Sequence, residues 1–302
     1  MNWDIVYVSE EEFQGLSKHN KPIYAKHMNL KPNAGIEVRT ESGKKMDAIY
    51  DANLESIRQL VVNNPYYPSI PNRDLALYND HLLNPNINTV IVDGFFGTGK
   101  TSILTSHLVD GLKKELEHGE GIPQVYLSKP HVPVGNGYGH LPGDLYDKTL
   151  EEFKSYMQYF DRFGGPGFAD YLMCYEREEK TKAIKQKQLA EPILHVLVFE
   201  YLRGRDIDRG WVVLDETQNA NEKEMATLIS RIHDKAKLVI IGDTTSTQID
   251  RKGNTPEQNG LSFAKNIYKN KKYAGYVELQ SLSHILRGKR VVDLCLYIKS
   301  KK

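Results

Sequence analysis

The chain has 302 residues, 40% apolar and 26% charged, which is the balance of a soluble globular protein of one large or two ordinary domains. Forty Lys and Arg against 39 Asp and Glu leave a net charge of +1, so global charge argues neither for nor against nucleic acid, and any basic surface must be local. No apolar run approaches the roughly 18 residues of a membrane span, Met1-Asn2-Trp3-Asp4 lacks the layout of a signal peptide, and Cys174 and Cys295 stand at no metal-ligand spacing; a cytoplasmic protein with reduced thiols and no membrane contact is expected.

Residues 1–62 read as a small β-rich module. Trp3–Val8, Ile36–Arg39 and Met46–Tyr50 alternate or carry β-branched residues, as strands do. Glu41-Ser42-Gly43-Lys44-Lys45 has the composition of a hairpin turn, and Asp51–Val62 suits one short helix. Residues 63–73, rich in Pro and Asn, read as a linker. From 74 to 302 apolar strands alternate with helical stretches: Thr89–Val92, Gln124–Leu127, Leu194–Phe199, Trp211–Leu214, Leu238–Ile241 and Tyr276–Leu279. Near-continuous apolar strands between helices predict a mostly parallel α/β sheet covered on both faces.

The most specific motif is Gly94-Phe95-Phe96-Gly97-Thr98-Gly99-Lys100-Thr101. Two glycines, then Lys and Ser/Thr at this spacing, form a phosphate-binding loop whose backbone N–H groups converge on phosphate oxygens at a helix N-terminus. Lys100 would reach the β- and γ-phosphates, the Thr101 hydroxyl would sit on Mg²⁺, and Ser102 would complete the nucleotide-binding run. The flanks agree: a β-branched strand precedes the loop, and Leu104, Leu108, Leu112 and Leu116 recur on one helix face after it, with Gly119 as a stop signal.

Trp211-Val212-Val213-Leu214-Asp215-Glu216 runs four apolar residues into two carboxylates at a strand's C-terminal end, where open α/β sheets bind ligands. After a phosphate loop, Asp215 suits Mg²⁺ and Glu216 suits a general base for water. Leu238–Asp243 repeats the layout and leads to Gln248, placed to sense the γ-phosphate. Ser128-Lys129-Pro130-His131-Val132-Pro133-Val134-Gly135 suits a rigid binding loop. Arg203, Arg205, Arg287 and Arg290 lie near strand ends or helix starts; each alone reads as a surface charge, and as a set they offer a finger for transition-state charge. Lys180, Lys182, Lys185 and Lys187 mix with Glu176, Glu178, Glu179 and Glu191, as on a solvated helix face.

From about Asn72 to Leu294 the chain resembles the PhoH family of P-loop ATPases. Four segments carry the resemblance: Gly94–Thr101; Lys129–Gly135 with Gly139–Asp144 and Lys148; Arg203-Gly204-Arg205 followed by Asp215-Glu216-Thr217-Gln218-Asn219; and Gly242-Asp243 through Gln248-Ile249-Asp250. Asn259-Gly260-Leu261 looks like a turn of longer members, in which a PIN ribonuclease domain precedes the ATPase; residues 1–62 look like the connector between the two, and no nuclease is expected here. The resemblance implies a RecA-like core, ATP and Mg²⁺ as ligands, single-stranded nucleic acid (RNA favoured) as partner, and a homo-oligomer, a hexameric ring in the family pattern. Phe95-Phe96 stands where the family usually has Pro-Ala, and Asn72–Leu77 lacks the Gln used before the loop, which leaves ATP over GTP open. Arg287, in Ser283–Arg287, resembles the family's C-terminal Arg segment.

The expected function is ATP hydrolysis by a helicase-type motor: Lys100, Glu216, Gln248 and Arg287 or Arg203 in catalysis, Thr101 and Asp215 on the metal. The rival readings are an NTP-dependent switch that binds a protein partner and, further off, a small-molecule kinase, which has no need of paired Asp215 and Glu216.

Overall fold

Five short strands open the chain: β1 (Asp4–Tyr7), β2 (Ile23–Tyr24), β3 (Gly35–Arg39), β4 (Lys45–Asp51) and β5 (Ser56–Gln59). They form one sheet in the order β1-β3-β4-β5-β2, around a core that includes Leu16, Ile36, Val38 and Ile57. The computed structural model describes residues 3–118, 123–131, 150–173 and 192–300. The β3–β4 hairpin turns through Gly43 at φ +88°. This module differs from the sequence reading in the short strand β2, in a helix and in the 51–62 segment. Helix α1 (Glu10–His19) is an addition; its signal is the capping box of Ser9 and Glu12, each side chain satisfying the other's backbone N–H. Asp51–Val62 is no helix: Glu55 takes a left-handed φ of +49°, which stops a helix, and Ser56–Gln59 returns antiparallel to β4 with Ile57 wholly buried.

All six expected core strands are present: β6 (Thr89–Gly94), β7 (Val125–Lys129), β8 (Leu194–Val198), β9 (Gly210–Leu214), β10 (Ala236–Gly242) and β11 (Ala274–Leu279). They form one sheet, order β11-β6-β10-β9-β7-β8, with every pairing parallel. Both faces are covered: Val90 and Val92 of β6 join one apolar cluster, and Ile91 joins another. This is a RecA-like P-loop core in which β10 separates the glycine-loop strand from the strand ending in two acids. Among the described residues no helix is long and apolar enough to cross a membrane.

Helix α2 (Arg73–Leu83) joins the two sheets, and residues 74–82 are all buried. Several of its buried polar groups find partners in the N-terminal module. Trp3 Nε1 donates to Asp74 at 2.7 Å, and His81 Nε2 meets the Asn33 carbonyl at 3.0 Å. Arg58 grips Asp80 through both terminal guanidinium nitrogens, at 2.7 and 2.9 Å, and reaches Asp51 through Nε at 2.9 Å. Residues 63–73 also lie on the core: Asn64 Nδ2 donates to Ser106 at 2.8 Å, and Tyr66 and Tyr67 pack on Phe163. The module therefore has its own sheet but shares a buried polar seam with the core.

Removing one partner of a buried pair leaves the other charge uncompensated. Arg58→Met should lower stability by about 3–5 kcal/mol, read as a lower urea midpoint. A loss under about 1 kcal/mol, the scale of an exposed ion pair, would mean that water reaches Asp80.

Candidate nucleotide-binding site

The glycines of the loop have separate reasons. Gly97 and Gly99 sit at φ +76° and +94°, the left-handed region that a side chain disfavours. Gly94 is needed for room, since a Cβ there would stand 2.6 Å from Leu279 Cβ. The loop feeds α3 (Lys100–His118), whose first N–H groups and positive dipole end face the turn. Leu104, Leu108 and Leu112 of α3 are buried, as their spacing predicts. Lys100 Nζ donates to the Phe95 carbonyl at 2.8 Å and to that of Gly94. Burial pushes the Lys100 pKa down, and the carboxylates of Asp243, Asp215, Glu216 and Asp93 oppose that shift. The result is a cation held at the loop among acids, where phosphate oxygens would be stronger acceptors than carbonyls.

Loop residues Phe96 to Ser102 line a cleft of about 560 Å³, a size that suits a small-molecule ligand. Gly94 and Phe95 lie beneath it: Gly94 packs on Leu279, and Phe95 enters an apolar cluster with Ile285 and Cys295. The hydroxyl of Ser102 meets that of Tyr67.

Asp215 and Glu216 enter the same cleft from the end of β9. The Asp215 N–H donates to the Ser128 carbonyl at 2.8 Å, which fixes the backbone. Its Oδ1 accepts from the Glu216 N–H at 2.9 Å and its Oδ2 from the Tyr156 hydroxyl at 3.1 Å. Burial first, and then the Glu216 charge, push this carboxyl above the ordinary carboxylate range; Lys129 and Lys100 pull the other way. The site thus favours a cation. Among the described residues no group of three His, Cys, Asp or Glu side chains converges, so Thr101 and Asp215 offer a partial set of oxygen donors. That set fits Mg²⁺, which keeps waters and takes its other ligands from substrate phosphates.

Glu216 is exposed and sits at φ +52°, a left-handed conformation that costs a non-glycine residue of order 1 kcal/mol or more. Gln218 holds it there. Wholly buried, Gln218 donates through Nε2 to Glu216 Oε2 at 2.6 Å and to the Gln248 carbonyl at 3.0 Å, and its Oε1 accepts from the Asp243 N–H at 3.1 Å. Gly242 makes room, since a Cβ there would stand 2.6 Å from Gln218 Oε1. One amide therefore ties the ends of β9 and β10 to the turn carrying Gln248. The sequence reading placed Gln218 in the Asp215–Asn219 segment that carries the family resemblance but gave it no role.

Gln248 lines the cleft, half-buried. Arg287 does too, with its side chain over Gly97 of its own loop, while the Leu286 N–H donates to the Gly97 carbonyl at 2.8 Å. Arg287 thus contacts the phosphate loop of its own chain. Arg203 is not brought to this cleft; its guanidinium lies 3.8 Å from Glu224. Lys129 is turned onto the backbone of Glu152 and the ring of Phe153, 4.7 Å from its centroid. Residues 132–149, with the rest of that loop, and the charged stretch 176–191, with Cys174, lie outside the described residues.

A glycine loop at a helix N-terminus, facing an acid pair from a nearby strand of the same parallel sheet, defines a P-loop NTPase. The PhoH-like protein family matches residues 75–297, and the chain belongs to that family. It is 27% identical over 294 residues to protein PhoH2 of Bacillus subtilis, an alignment covering 94% of this chain and 60% of that protein. To the PhoH-like protein of Mycobacterium tuberculosis it is 27% identical over 208 residues, covering 68% and 52% of the two. The chain thus spans 60% or less of the length of these relatives. Among solved structures, the PRRSV helicase overlaps 83% of this chain and 42% of its own at 12% identity and a TM-score of 0.31.

Gln218→Leu should keep nucleotide affinity and lower turnover about tenfold or more, because a hydrogen bond to a charged group is typically worth about 1.5–3 kcal/mol. Single-turnover phosphate release measures it, and wild-type turnover in the variant would remove Gln218 from the mechanism.

Proposed function

We propose that this chain is a Mg²⁺-dependent ATPase that uses hydrolysis to act on single-stranded nucleic acid, RNA foremost, as a homo-oligomer. The observation carrying this reading is the amide of Gln218, bound at once to Glu216, Asp243 and the Gln248 turn. A hydrolytic carboxylate wired to a neighbouring strand end and turn is what a motor needs, since a change at the γ-phosphate must move something else.

In this mechanism the loop N–H groups and Lys100 bind the phosphates, and Lys100 stabilises charge developing on the transferred group. Thr101 and Asp215 would hold Mg²⁺, which neutralises phosphate charge when bound. Glu216 takes a proton from the attacking water onto its carboxylate while Gln218 keeps it aimed. Arg287 stands beside Gly97 to contact phosphate in its own chain. Arg203, outside its own cleft, is the candidate for a neighbouring subunit's cleft.

The switch reading keeps one observation in its favour: Lys129, at the candidate binding loop, is engaged by Glu152 and Phe153 rather than presented to solvent. The ATPase rate with and without single-stranded RNA and DNA separates the two. Stimulation is expected, with binding that weakens as salt rises because counterions are released. No binding at about 50 mM salt with an ATP analogue present would favour the switch.

A further inference from the structure

We propose that Tyr156 is a positioning residue for Asp215: its hydroxyl fixes the carboxylate in the orientation that receives the divalent cation. The inference rests on the Mg²⁺-dependent reading above and concerns a side chain 59 positions away in sequence from the acid it holds.

An aspartate carboxylate can rotate about its side-chain torsions, so two anchors are needed to fix its plane. The Glu216 N–H supplies one, at Oδ1. The Tyr156 hydroxyl supplies the other, at Oδ2, 3.1 Å away. Tyr156 is itself immobile: it is 2% exposed and lies on the buried face of the Lys154–Gly164 helix with Phe160 and Phe163. The approach to that helix is pinned as well. Lys129, at the end of β7, donates to the Glu152 carbonyl and caps the Phe153 ring. Since β7 pairs with β9, with Ser128 opposite Leu214, this tether starts beside Asp215. The 152–156 segment is thereby folded over the acid.

A phenol suits this task better than a cation would. It donates one hydrogen bond and leaves the carboxylate its full charge, whereas an ammonium there would compete with the metal for that charge. Tyr78 provides a contrast: it too is fully buried and within electrostatic reach of Asp215, yet among the described residues its hydroxyl has no hydrogen-bond partner.

The test uses Mn²⁺ as the probe, titrated into the full chain with ADP and followed by the electron paramagnetic resonance signal of free Mn²⁺. Tyr156→Phe should weaken Mn²⁺ binding about tenfold, as loss of an outer-shell partner does. ADP affinity in EDTA should stay at the wild-type value, and Tyr78→Phe should bind Mn²⁺ like wild type. Unchanged Mn²⁺ affinity in Tyr156→Phe overturns the proposal, as does an equal loss of metal-free ADP affinity, which marks a general packing role. If wild type with ADP takes up no Mn²⁺, the Mg²⁺-dependent reading itself falls and takes the assignment with it.

Discussion

The cleft depends on one buried carboxylate, Asp93, which sits in β6 directly before Gly94 and is 1% exposed. An unpaired charge at that depth would cost several kcal/mol, so the fold must bring donors to it. Lys265 Nζ arrives from the Gly260–Tyr268 helix at 2.8 Å, and Gln280 Nε2 from just beyond β11 at 2.8 Å. Thr244, just beyond β10, donates its N–H at 3.1 Å and its hydroxyl at 2.8 Å. The C-terminal ends of three adjacent strands are thus held to a common point. From it leave the loop to Lys100, the turn to Gln248 and the segment to Arg287. Lys100 can stand opposite Asp215 and Glu216 because those departures are fixed.

A second constraint comes from α2, whose buried Asp74, Asn79, Asp80 and His81 cannot be left without partners. Most of their partners belong to residues 1–64, so the N-terminal module completes the core's inner polar layer as well as its own sheet. The influence extends to the cleft. Asp74 binds Trp3 on one side and His284 at 2.8 Å on the other, and His284 lies three residues before Arg287. Leu75, the next residue of α2, lies against Gly99 of the phosphate loop.

The legible parts of the site were those written in a single short segment. The loop glycines answer to backbone angles and the acids to a strand end, and both are local. The six apolar runs fix the strands, although their order does not follow from any run. What tertiary packing decides was not legible. Arg203 and Arg287 look alike in the chain, yet Glu224 draws one away while the other lies over Gly97. Tyr156 and Asp93 carry no local mark, because their partners are distant in sequence. The 51–62 stretch misleads because the left-handed turn at Glu55 and the burial of Ile57 override its helical composition.

The central claim is that Glu216, held in its strained conformation by Gln218, activates water at a cleft whose loop binds the nucleotide independently. Equilibrium ATP binding and single-turnover phosphate release, measured on the same preparation of Glu216→Gln, test it most directly. The account predicts ATP affinity within about threefold of wild type and phosphate release slowed about 100-fold or more, on the scale of general-base catalysis. Phosphate release at the wild-type rate would contradict it.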